Sequence, residues 1–169
     1  MHGEKIDLME LRRRCAQRLE EWPLPRPFDL EEFCEAVARR RGRPIMVHPI
    51  TGLGAPLGVW LATSSVDLIG YEANTSRVHQ EHIVLHELSH MLCEHSPRVN
   101  NSNSSSRLFP DLRADVVQRV LQRSTTYSSA EEAEAEILAS LVQERAAIQD
   151  VKPAEPDLAE RLDKVLRSS

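Results

Sequence analysis

No run of apolar residues in this chain approaches the roughly 20 that a membrane-spanning helix needs, and its opening MHGEKIDLMELRRR has no apolar core of the signal-peptide kind. Both absences lead to the expectation of a cytoplasmic protein. Paired cysteines are missing too: Cys15, Cys34 and Cys93 are odd in number, far apart and without a C-x-x-C spacing. A disulfide framework is thereby excluded, and buried free thiols in a reducing compartment are expected. There is no excess of basic charge. The net charge of -5 argues against a nucleic-acid-binding surface, and the two basic runs, Arg12 to Arg14 and Arg39 to Arg41, read as solvated helix faces. Internal repeats and a dividing linker are also lacking, so the 169 residues form one domain, long enough to bury roughly two thirds of the unfolded chain's surface.

What is there falls into helix, strand and helix again. Leu8, Leu11, Cys15, Leu19 and Trp22 recur at helical spacing and give a first helix one apolar stripe. Asp29, with Glu32 three residues on, has the form of a capping box, and predicts a second helix to about Arg41, stopped by Gly42. Three segments rich in β-formers follow, PIMVHPI (44–50), LGVWLAT (57–63) and DLIGYEA (67–73), and their spacing predicts a small meander-like sheet. Residues 80–95 are apolar around most of a helical wheel, as in a central buried helix. VNNSNSSSR (99–107) reads as a mobile loop, and further helices are expected over 110–123, 130–150 and in DLAERLDKVL near the end. The expected fold class is α+β, a three-stranded sheet with about five to six helices. Within the single domain 1–169, the N-terminal helices take 1–43, the sheet and central helix 44–97, the loop 98–109 and the C-terminal helices 110–169.

Five of the 7 histidines lie between His79 and His95. Inside that stretch His86-Glu87-Leu88-Ser89-His90 matches H-E-x-x-H. Residues four apart share a helix face, so His86 and His90 can direct their rings at one metal ion while Glu87 sits beside it. Zinc suits such a site, taking three protein ligands and leaving a fourth position open, and Glu87 would serve as general base. On a largely apolar helix, two imidazoles and a carboxylate without partners would be costly, which strengthens the metal reading over chance. His82 cannot join the pair. At about 1.5 Å rise per residue it stands roughly 12 Å from His90, too far for one ion. His79 and His95 fail in the same way unless the helix ends unwind, and read as structural or surface residues, with His95 the best placed to back a ligand or touch substrate.

The third ligand must therefore come from another element. Glu131, Glu132, Glu134 and Glu136 cluster on the predicted helix 130–150. Glu131 and Glu132 are already explained by a helix N-terminus, which favours carboxylates. Glu134 is drawn to the apolar side by Ala135, Ile137 and Leu138. As a group they are expected to supply one ligand.

From RGRPI (41–45) through GVWL and DLIGYE to HIVLHELSHMLCEH, and again at EAEAEILASLV, the chain resembles the ImmA/IrrE family of zinc metallopeptidases. The resemblance implies a minimal thermolysin-like zincin core, with His86 and His90 as zinc ligands and Glu87 as base. It also implies Glu134 as third ligand, because Glu134-Ala135-Glu136-Ile137-Leu138-Ala139 keeps the family's Glu-Ala and final Ala; Glu132 and Glu136 are its competitors. Glu136 stands in place of the usual Asn or Asp, Leu138 in place of Phe, and Ser89 in place of a common Gly. No helix-turn-helix is evident, so the stand-alone form is implied: an endopeptidase that cleaves a partner helix-turn-helix repressor at a specific site. The strand 67–73 would offer an edge to an extended substrate, and Tyr71 or Tyr127 would steady the oxyanion. Two other readings compete: a zinc-stabilised interaction module that sequesters a repressor without cutting it, as in a toxin–antitoxin-like pair, and a hydrolase of small amides.

Overall fold

The computed structural model describes residues 7–52, 57–62, 65–95 and 127–150. Asp7 opens α1 (Leu8–Glu20), its carboxylate accepting from the N–H groups of Met9 and Glu10. The apolar stripe buries Leu11, Cys15 and Leu19. Asp29 caps α2 (Leu30–Arg41) by accepting from the Glu32 N–H at 2.8 Å. Gly42 ends it in the left-handed conformation, at a φ of 68°, which a residue without Cβ adopts at no steric cost.

The three strands form as expected: β1 (Ile45–Ile50), β2 (Gly58–Ala62) and β3 (Asp67–Glu72). Their arrangement differs from a meander. β3 lies in the centre, parallel to β1 and antiparallel to β2, in the order β1-β3-β2. Two side chains account for this. Pro49 has no N–H to donate to a ladder, which suits β1 to an edge. Asp67, fully buried at the start of β3, meets Arg41 at 3.3 Å and Arg43 at 3.5 Å from the segment leading into β1, and accepts from Trp60 Nε1 of β2 at 3.2 Å. That carboxylate pins β3 between its neighbours. Because β3 is paired on both sides, it has no edge to offer a substrate; among the described residues the edge nearest α3 belongs to β2.

Next comes α3 (Arg77–Leu92), capped by Ser76, with Leu85, Leu88 and Met91 almost free of solvent contact. After Cys93 the chain turns back. Glu94 takes a φ of 57°, its N–H reaches the Met91 carbonyl at 3.1 Å and the His95 N–H reaches the His90 carbonyl at 3.0 Å. This pair of bonds is a Schellman motif. α4 (Ser129–Asp150) lies along both α3 and α1 and adds Leu138, Ala139, Leu141 and Val142 to the core. All three cysteines are buried and free. The class is α+β, with four helices and a mixed three-stranded sheet among the described residues. The expected loop 99–107 and the helices expected over 110–123 and after 156 lie outside them. No described helix is long and apolar enough to cross a membrane.

Candidate metal centre

Helix geometry places His86 and His90 on one face of α3, and α4 crosses that face. Their Nε2 atoms stand 3.1 Å apart. Glu132 Oε2, arriving from the first turn of α4, is 3.2 Å from His86 Nε2 and 3.9 Å from His90 Nε2. Bonds of about 2.0–2.1 Å to a tetrahedral ion set its ligand atoms about 3.3–3.4 Å apart. The three donors have close to that spacing and are a group able to hold a metal ion.

Glu134 is elsewhere. Two residues advance a helix by about 200°, so Glu134 leaves the face that Glu132 shows to α3 and turns toward α1. Its side chain is 14% exposed; Oε2 lies 3.1 Å from His95 Nε2 and Oε1 accepts from Arg14 at 3.3 Å. The expected inward position of Glu134 is therefore found, but its company is Arg14, His95 and Cys93 rather than His86 and His90. Glu136, one turn after Glu132, shares the Glu132 face. Its carboxylate is 3.3 Å from His86 Nδ1 and 3.2 Å from His82 Nε2. His82 is occupied by Glu136 and, through Nδ1, by Gln143 at 2.9 Å. His79 is exposed in the first turn of α3.

Around the donors the protein is apolar and tight. Glu87 is buried between α3 and β2, and burial, with the negative charge of Glu132 second, pushes its carboxyl up to about 8; a hydrogen bond from the Trp60 backbone acts in the opposite sense. A divalent cation among the donors would also favour the ionised form. His90 is pushed down to about 3, first by burial and then by His86 and His95, which keeps its ring neutral and a nitrogen lone pair available. The Tyr127 ring stacks on His90 with centroids 3.6 Å apart and planes within 13°. Burial, helped by Glu87, Glu132 and Glu131, raises the Tyr127 phenol, so it stays a proton donor. Its hydroxyl is buried and has no hydrogen-bond partner among the described residues. Tyr71 packs against the core from β3 and does not line the cleft. Ser89 turns its hydroxyl to the Leu85 carbonyl at 2.7 Å, inside the helix.

The donors open into a cleft of about 220 Å³ whose walls include Leu57 and Gly58 of the β2 side, Glu87, Tyr127 and Glu132. Gly58 is what lets β2 lie this close. A Cβ there would stand 2.5 Å from Ile83 Cγ2 and 2.8 Å from Glu87 Oε1. Nothing in the sequence pattern of GVWL marks that role. The part of Glu136 had a sequence signal, the four-residue interval from Glu132, which matches the interval from His82 to His86. Compared with family models, curated proteins and solved structures, the chain matches none, so its site is read from its own chemistry.

Proposed function

We propose that the protein is a zinc-dependent endopeptidase with a minimal zincin core, a member of the ImmA/IrrE family that its motifs resemble, and that it cuts a helix-turn-helix repressor at a specific site. The convergence of His86 Nε2, His90 Nε2 and Glu132 Oε2 beside the buried Glu87 carries this reading. Two neutral imidazoles and one carboxylate form a donor set that suits zinc and leaves a fourth position toward the cleft. In this assignment Glu132 takes the place that the resemblance gave to Glu134. Zinc bound there supplies a Lewis acid and makes water acidic near neutral pH.

The remaining work belongs to the chain. Glu87, kept ionised by the charge of a bound cation, takes the proton of the attacking water and hands it to the leaving amine. Tyr127 donates to the oxyanion its buried hydroxyl, which has no partner among the described residues. The outer edge of β2, beside Gly58, receives the substrate as an added strand. Glu136 holds the other nitrogen of His86 and fixes that ring.

Zinc analysis of purified variants tests the site. The wild-type protein and Glu87→Gln bind one equivalent, whereas Glu132→Ala retains little after dialysis. Full zinc in Glu132→Ala would overturn the ligand assignment.

A further inference from the structure

His90 has two ring nitrogens and only Nε2 faces the proposed ion. The other continues into the interior. His90 Nδ1 lies 2.9 Å from His95 Nδ1, His95 Nε2 lies 3.1 Å from Glu134 Oε2, and Arg14 donates to Glu134 Oε1 at 3.3 Å. His90 and His95 are 1% and 8% exposed, so water does not substitute for these contacts. The Schellman turn at Glu94 is what folds His95 back onto His90. This chain runs from the cleft to α1 and has one arrangement of protons that satisfies every link with neutral rings.

The arrangement is set from the far end. Glu134 accepts from Arg14 through Oε1 and faces His95 Nε2 with Oε2; a carboxylate accepts only, so His95 must carry its proton on Nε2. His95 Nδ1 is then an acceptor, and His90 must present Nδ1–H to it. That leaves the lone pair of His90 on Nε2, at the site. The opposite tautomer would set a ring lone pair against a carboxylate at 3.1 Å and put a proton where a metal has to bind. We propose that His95, Glu134 and Arg14 are positioning residues that select the metal-binding tautomer of His90, and that Glu134 acts on the ion through His95 rather than as a ligand. The inference rests on the zinc site proposed above.

Two measurements test it. The first is ¹⁵N NMR of the ring nitrogens in the metal-free protein, which is expected to show His90 protonated on Nδ1 and His95 on Nε2. The second is zinc affinity by competition with a chelator. His95→Leu and Glu134→Leu should still bind one equivalent but about 10–100-fold more weakly, while His95→Asn, whose amide oxygen falls near the position of Nδ1, should stay within a few-fold of wild type. A His95 proton on Nδ1 would overturn the proposal. So would wild-type affinity in His95→Leu, equal losses in His95→Asn and His95→Leu, or loss of the zinc equivalent in Glu134→Leu to the extent seen for Glu132→Ala. If the wild-type protein takes no zinc, the proposed site fails, and the metal-free spectrum still decides the proton arrangement.

Discussion

Glu87 is the residue whose environment has the most measurable consequence. Its folded carboxyl is raised from 4.5 to about 8, so below about pH 4.5 both states of the chain hold the proton and the advantage of burying the neutral acid is complete. As pH rises, the unfolded chain ionises first and that stability is lost through about 8. The contribution of Glu87 to the metal-free protein is therefore expected to fall by on the order of 3–5 kcal/mol across this window. Denaturant titrations read it as the difference between wild type and Glu87→Gln, because His90, whose folded pKa is lowered, works in the opposite sense below about pH 6.5; equal slopes would refute the burial argument. His86, His90 and Glu87 were legible in the sequence because a four-residue interval on a helix has one spatial meaning. The choice among Glu132, Glu134 and Glu136 was not, because an apolar helix face tells how deep a side chain sits and not which neighbour meets it. Glu134 does point inward, but α1 and His95 are there, and the half-exposed Glu132 is the one that faces the two imidazoles.

Elements were easier to find than to order. Caps at Asp29 and Gly42 and the stripe of α1 stand in the sequence as they stand in the fold, since capping and periodicity are local. The strand order is not local: the buried Asp67 cluster that sets β3 in the middle joins side chains from three segments. Asp67→Ala should cost about 2–4 kcal/mol, somewhat less than the roughly 3–5 kcal/mol of a fully buried pair because Arg41 and Arg43 keep some solvent contact; chemical denaturation measures it, and a loss under 1 kcal/mol would mean that the cluster does not hold the sheet. The approach of β2 to α3 makes its own prediction. Gly58→Val has to push aside Ile83 and Glu87, and is expected to cost about 1–3 kcal/mol and to lower peptidase activity at least tenfold while zinc content stays at one equivalent. Unchanged activity would separate β2 from the role proposed for Glu87.

At the scale of the molecule, the donors come from two helices that the chain separates by more than thirty residues, α3 and α4. An ion joining them binds the folded state and not the unfolded one. Zinc at a thousandfold excess over its dissociation constant would then add about 4 kcal/mol, and a chelator should lower the melting temperature by several degrees; no shift would mean that the two helices are not bridged. The account as a whole stands or falls on cleavage. Zinc-loaded protein, the same protein with Glu87→Gln, and chelator-treated protein are each incubated with a helix-turn-helix repressor of the class proposed as substrate, and the products are read by mass spectrometry. The proposed function predicts one new pair of termini in the repressor, produced by the first sample and absent from the other two. A repressor that is bound by zinc-loaded wild-type protein but left whole would contradict it and identify the domain as a sequestering module.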